Sequence, residues 1–301
     1  MIPLFPNFKL LEIEDKSDFE NITKKFEPYS DFNFISLWSY NTEEDTQISI
    51  LNENLVIKFR DYINNEPFYS FIGNAQTEET INALLLRSQE EGIKPELKLI
   101  PEVNIVGKPN LEKFNIQEDR DSFDYILSAD EIALLSGDKY HTHKNFVNRF
   151  QRTYEDYHVR EINLLDPSIN EQIINVFYVW EKKRNKERAD TIHELTAITR
   201  LLKDANEFSV IALGIYDRET LVGFIIASLE QMNYSVSHFT KSDTDYDGIS
   251  YFMYHNLSKT LVEKGYKFIN NEQDLGIPGL RKSKEQWNPA HYLKKYIITP
   301  K

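Results

Sequence analysis

The sequence predicts an α/β (α+β) chain of two tandem units, each a mixed sheet flanked by helices. Three observations predict it. The chain has 301 residues, enough for two ordinary domains with their own cores. The second half carries an ordered run of helices and strands, and the first half carries a shorter version of the same run. Charge is divided as well: residues 1–130 hold 25 acids and 12 bases, residues 131–301 hold 23 of each, so the net −13 lies in the first part.

The first half opens with a helix over "EDKSDFENITKKF", where Ser17 and Glu20 have the spacing of a capping box. "NENLVIKFRDY" and "EPFYSFIG" read as adjacent strands. "TEETINALLLRSQEEG" follows as a helix capped by Thr77 and closed by Gly92, and "PELKLIPEV" is a strand. The charged stretch 115–125 lacks apolar periodicity and reads as the join, dividing the chain into residues 1–120 and 121–301. In the second unit, "DPSINEQIINVFYVWEKKR" is a helix with Asp166 as N-cap and Pro167 in its first position. "IHELTAITRLLKDAN" is a second helix. Three strands come next, then a helix closed by Gly265, then the strand "YKFINNEQD".

Composition narrows the function. Hydrophobic residues make up 41% and aromatics 13%, as in a folded globular protein. The absence of cysteine removes disulfides, a thiol nucleophile and thiolate metal sites. "MIPLFPNFKL" has no secretory pattern, and the longest apolar run, Leu221 to Leu229, suits a buried strand rather than a membrane span. Both point to the cytoplasm. No P-loop, dinucleotide fingerprint, zincin motif or nucleophile elbow is present, and no metal site is expected.

The second-half order α-α-β-β-β-α-β is that of a GNAT N-acetyltransferase fold. Such a fold holds the pyrophosphate of coenzyme A on backbone N–H groups before a helix. The corresponding stretch, "KSDTDYDGISYF", has one glycine, Gly248, and three aspartates, Asp243, Asp245 and Asp247. Carboxylates there repel a pyrophosphate and suit a helix N-terminus instead. Acetyl-CoA is therefore the less favoured donor, and no bound cofactor is expected.

Two stretches concentrate cations. "DKYHTHKNFVNRFQRTY" is an amphipathic helix whose polar side carries Lys144, Asn145 and Asn148, with no acid between residues 139 and 152. "NEQDLGIPGLRKSKEQWNPAHYLKKY" begins with Glu272 and Asp274 and turns through Gly276 to Gly279. It then presents Arg281, Lys282, Lys284, Lys294 and Lys295. Both suit a phosphate-rich ligand. His238, in the strand "YSVSHFTKS", is placed to line a pocket.

The blocks "SDFNFISLWSYN", "LSGDKYHTHKNFVNRFQRTY", "HFTKSD" and "INNEQDLGIPGLRKSKEQWNPAHYLKKY" resemble those of the phosphatidylglycerol lysyltransferase C-terminal domain family. The resemblance implies a tandem pair of GNAT domains. It also implies aminoacyl transfer from an aminoacyl-tRNA to a lipid head group or a small acceptor. By that resemblance Arg281 and Lys284 would be catalytic, contacting phosphate or the transferring carbonyl. Lys144, Asn145 and Asn148 would bind substrate, and Glu272 and Asp274 would hold a substrate ammonium. The membrane synthases of the family carry transmembrane helices before this domain, and this sequence has none. Two other functions stand beside this one: an acyl-CoA-type N-acyltransferase, and a non-catalytic module that binds an anionic metabolite. A purely structural salt-bridge network around Arg281 and Glu272 is a further reading.

Overall fold

The computed structural model describes residues 1–61 and 64–301; the side chains of residues 188–190 lie outside the description. The chain divides into two compact units. The first comprises Met1–Tyr125, Glu272–Trp287 and His291–Lys301, and the second Ile126–Asn271 and Asn288–Ala290.

The first unit contains β1 (Lys9–Leu10), α1 (Lys16–Thr23), α2 (Phe34–Tyr40), β2 (Gln47–Leu51), β3 (Asn54–Arg60) and β4 (Pro67–Ile72). It continues with α3 (Thr77–Glu90), β5 (Leu97–Pro101), α4 (Glu102–Ile105) and β6 (Phe114–Glu118). The strand β7 (Asp124–Ser128) begins at its end. Residues late in the chain return to this unit as α10 (Pro278–Glu285), β13 (His291–Leu293) and β14 (Lys295–Pro300). Between lie α5 (Ala129–Leu134), α6 (His141–Thr153), β8 (Tyr157–Glu161), α7 (Pro167–Lys183) and α8 (Arg188–Lys203). They are followed by β9 (Val210–Asp217), β10 (Thr220–Leu229), β11 (Tyr234–Ser242), α9 (Ile249–Glu263) and β12 (Phe268–Asn270).

Among the described residues, the first sheet runs β1-β2-β3-β4-β5-β14-β6 and the second β13-β7-β12-β11-β10-β9-β8. Each is mixed: β4 pairs with β5, and β11 with β12, in parallel, and the other registered pairs are antiparallel. The run α7-α8-β9-β10-β11-α9-β12 is the order expected from sequence.

Two sequence expectations are corrected. The stretch 115–125 is not a linker: β6 occupies its start and pairs along β14, from Tyr296↔Glu118 to Pro300↔Phe114. Nor do residues 121–301 form one domain. Insertion of β14 between β5 and β6 commits the C-terminus to the first sheet, and Ile298 joins the core of Val56, Tyr69, Phe71, Leu84 and Ile100. That partner strand is some 180 positions away, so local pattern carries no sign of it.

Local caps also differ. The reciprocal capping box lies at Glu12 and Asp15, because Asp15 is buried and ion-paired with Lys9 at 2.9 Å. Thr77 spends its hydroxyl on the Asn104 carbonyl at 3.2 Å, leaving Gln76 as the N-cap of α3. Asp166 caps α7 as expected, accepting from the Ser168 N–H at 2.9 Å, with Pro167 first in the helix. Strand β3 ends at Arg60; Tyr62, the last residue of the expected strand, lies outside the described residues.

Candidate functional site

In the first unit three consecutive residues after β12, Glu272, Gln273 and Asp274, each enter a different polar cluster. Asp274 is fully buried, and its two oxygens accept five hydrogen bonds. Arg281 grips it with Nε at 2.9 Å and Nη2 at 2.8 Å. Tyr125 Oη donates at 2.5 Å, the Gly276 N–H at 2.8 Å and Arg120 Nη1 at 3.3 Å. The Arg281 clamp, the Tyr125 hydroxyl and the Gly276 N–H outweigh burial and hold this carboxyl below the usual range. Arg281 also meets Asp121 at 2.6 Å, and the two carboxylates raise its own pKa. Arg120 lies over the Tyr292 and Tyr125 rings at 4.9 and 5.2 Å.

Gln273 enters the second cluster. Its Nε2 donates to Asp31 at 3.3 Å and its Oε1 accepts from Lys295 at the same distance. Lys295 is fully buried, between Asp31 and Asp124. Its Nζ lies 2.7 Å from Asp124 and 3.2 Å from Ser30 Oγ. Ser30 in turn donates its N–H and hydroxyl to Asp124 at 2.8 and 2.6 Å. Burial alone would neutralise Lys295; the two carboxylates override it and raise its pKa.

Glu272 enters the third. Its Oε1 accepts from Ser36 Oγ at 3.0 Å, at the first turn of α2, which Asn33 caps through the Ile35 and Ser36 N–H groups. Its backbone is left-handed, with φ 55°. Lys284, on α10, is buried and its charge acts on the Glu272 carboxyl. Although the residue keeps some exposure, its carboxyl is enclosed, and burial together with Asp124 and Asp31 pushes it up to about 7 against the opposing Lys284 and Ser36.

This carries a stability consequence. Between the ordinary 4.5 and about 7 the folded protein binds the Glu272 proton and the unfolded chain does not. Stability from this group is therefore present below the ordinary value and lost as pH rises through about 7. Wild type should lose up to about 3 kcal/mol relative to Glu272→Gln across that window, as urea unfolding at pH 5, 6, 7 and 8 will show.

The structure thus brings Arg281, Lys284, Glu272 and Asp274 into one unit, with two corrections. Asp274 is not available to a substrate ammonium, because its lone pairs are filled. The ion-pair network around Arg281 runs to Asp274 and Asp121 rather than to Glu272. The remaining predicted residues lie in the second unit. Lys144, Asn145 and Asn148 are exposed on α6, where Asn145 Nδ2 meets His141 Nδ1 at 3.3 Å. His238 is the extra residue of a β-bulge between Ile226↔Phe239 and Ala227↔Ser237, and burial lowers its pKa to about 3, leaving a neutral ring. Sequence reasoning missed Ser30, Asp31, Ser36, Arg120, Asp124 and Tyr125. Ser30, Asp31 and Ser36 lie inside the block "SDFNFISLWSYN", which was the available signal.

A family model described as "Phosphatidylglycerol lysyltransferase, C-terminal" matches residues 24–299. The chain belongs to that family. A conserved protein of unknown function from Bacteroides thetaiotaomicron is 26% identical, with 100% of each chain covered and a TM-score of 0.84. L-PGS from Bacillus licheniformis is 15% identical, covering 97% of this chain and 93% of that chain, with a TM-score of 0.64. A tandem GNAT protein from the clavulanic acid biosynthesis pathway is 10% identical, covering 97% of each, with a TM-score of 0.51. The last two are likenesses of fold, and the tandem GNAT-like fold they support is the one expected from sequence. No curated protein matches the chain. Among the described residues no helix is long and apolar enough to cross a membrane.

This lysyltransferase-family member has filled the loop where a GNAT domain would hold a pyrophosphate. Lys183 pairs with Asp243 and with Asp245, the latter at 2.5 Å, and Arg149 pairs with Asp247 at 3.1 Å. The N–H of Asp245 is bound by Asp243, that of Tyr246 by the Asp243 carbonyl, that of Asp247 by Tyr154 Oη and that of Ile249 by the Tyr246 carbonyl. Gly248 has φ 85°, and a Cβ there would stand 2.6 Å from the Phe146 carbonyl oxygen. Gly248→Ala should therefore cost about 1–3 kcal/mol in a thermal or urea melt. Unchanged stability would show that the loop and α6 can separate without cost.

Proposed function

We propose that this protein transfers an aminoacyl group from an aminoacyl-tRNA to the nucleophile of a lipid head group or a small acceptor. The observation that carries this reading is the enclosed Glu272 carboxyl under the charge of Lys284, within a chain of the lysyltransferase family. The donor ester is already activated, so positioning and electrostatics suffice. In this reading the Glu272 carboxylate takes the proton of the acceptor hydroxyl or amine as that atom bonds to the ester carbonyl carbon. The carbonyl oxygen gathers charge, which Lys284 offsets. The ester C–O bond then breaks, and the departing ribose hydroxyl recovers the proton from Glu272. A carboxyl raised to about 7 is matched to that exchange near neutral pH.

Arg281 serves in this account as the clamp that fixes Asp274, and through the consecutive backbone the position of Glu272. The exposed row Lys144, Asn148 and Arg152 runs along α6 at four-residue spacing, about 6 Å per step, and suits a phosphate backbone. The engaged N–H groups and paired aspartates before α9 support the aminoacyl-tRNA donor over an acyl-CoA. Separate incubations with a pool of charged tRNAs and with acetyl-CoA, each with a mixture of acceptors, test the choice of donor. Acceptor-dependent loss of the tRNA ester is expected. Release of free coenzyme A with the tRNA ester intact would replace this reading with acyl-CoA transfer.

A further inference from the structure

We propose that Ser36 is the positioning residue of the Glu272 proton: its hydroxyl holds the carboxyl and sets the pH range in which that group can take a proton from the acceptor. The proposal deepens the aminoacyl-transfer reading and rests on Glu272 as its base. Ser36 sits in the first turn of α2 and is buried, at 9% exposure. A serine in a helix commonly turns its hydroxyl onto the backbone nearby. Here the helix end is served by another residue: Asn33 Oδ1 accepts from the Ile35 N–H at 3.0 Å and from the Ser36 N–H at 3.1 Å. The Ser36 hydroxyl reaches out of the helix and donates to Glu272 Oε1 at 3.0 Å, across 236 positions of sequence.

The surroundings of the carboxyl give that one bond its weight. Helix α10 contributes the Lys284 charge, which favours the ionised form. Asp31, in the turn before α2, and Asp124, on β7, disfavour it, and so does enclosure. Lys295, on β14, is bound to both aspartates. Helix α2 itself, Phe34–Tyr40, adds no charged side chain, so what it brings to the carboxyl is a hydroxyl. An O–H donor stabilises the carboxylate over the neutral acid. In an enclosed site a hydrogen bond to an ion is stronger than one between neutral groups. Loss of that bond shifts the balance toward burial and the aspartates, and the carboxyl keeps its proton to higher pH. A base that stays protonated at neutral pH takes no proton from an acceptor. Asn33 acts one step further back, because its cap fixes the backbone from which Ser36 reaches.

The test is the pH profile of transfer. Ser36→Ala should move the inflection of kcat/KM upward by about one pH unit, the scale of one hydrogen bond to an ionised group. At pH 6 that is about a tenfold loss, and the deficit shrinks as pH rises. Ser36→Thr, which keeps the hydroxyl, should keep the wild-type inflection. A side chain that merely packed would lower activity alike at every pH. The same shift is read without substrate from urea unfolding between pH 5 and pH 9. Ser36→Ala and Ser36→Ala/Glu272→Gln are set against wild type and Glu272→Gln. Without the Ser36 hydroxyl the folded carboxyl keeps its proton above about 7, so the stability that Glu272 contributes goes on falling for about one further pH unit. An inflection and a stability window that stay in Ser36→Ala where wild type has them would overturn the proposal. A wild type without transfer activity would fell the reaction instead, and the urea series would then decide the role of Ser36.

Discussion

Lys295→Met is expected to destabilise the protein by about 3–5 kcal/mol, read from urea unfolding at neutral pH. The physical cause is asymmetric. Lys295 is fully buried and faces two carboxylates, Asp31 and Asp124, that are also buried. Removing the ammonium leaves their charge in a low-dielectric interior without its counter-ion, although Ser30 still donates to Asp124 and Gln273 to Asp31. The penalty belongs to the orphaned carboxylates and not to the lost lysine. Adding Asp31→Asn and Asp124→Asn to Lys295→Met should therefore recover most of the stability. A single variant as stable as wild type, or a triple variant no better than the single, would contradict the buried ion cluster.

Glu272→Gln should lower transfer by about a hundredfold to ten-thousandfold, the usual contribution of a general base. Glutamine keeps the size of the side chain and an oxygen for Ser36, so the fold is expected to persist. A second reading separates proton transfer from positioning. In wild type, kcat/KM should rise with pH through about 7 as the carboxyl ionises, and in the variant that inflection should vanish. A variant that is slow but keeps the wild-type pH profile would assign Glu272 a positioning role. A variant of full activity would remove it from the chemistry.

Much of the fold was legible because it was written locally. Asp166-Pro167 marks the start of α7, and Gly265 follows the end of α9 as a left-handed residue at φ 88°. The central order β9-β10-β11 of the second sheet follows from consecutive hairpins. What sequence could not carry was long-range pairing. The hydrogen bonds of β6 come from β14, so residues 115–125 looked like a linker. Lys294 and Lys295 are identical in composition and opposite in fate: Lys294 meets Glu118 near the surface at 2.6 Å, and its neighbour enters the core. Successive residues point to opposite sides where a strand begins, and only the register decides which lysine is buried. The chemistry of the C-terminal block was visible as opposed charges. Its true arrangement was not, because Asp31, Asp124 and Lys295 lie 93 and 171 positions apart along the chain. Asp274 shows the cost of that blindness. As an acid beside cations it looked ready for a substrate, and the fold has already filled every lone pair.

Incubation with radiolabelled aminoacyl-tRNAs and a total lipid extract, followed by separation of the organic and aqueous products, tests the central claim most directly. The account predicts label moving from the tRNA ester to an acceptor, lost in folded Glu272→Gln and Lys284→Ala variants. Partition of that label into the organic phase identifies a lipid acceptor, and a new labelled aqueous product identifies a small one. An intact tRNA ester after full incubation with either class of acceptor would contradict aminoacyl transfer.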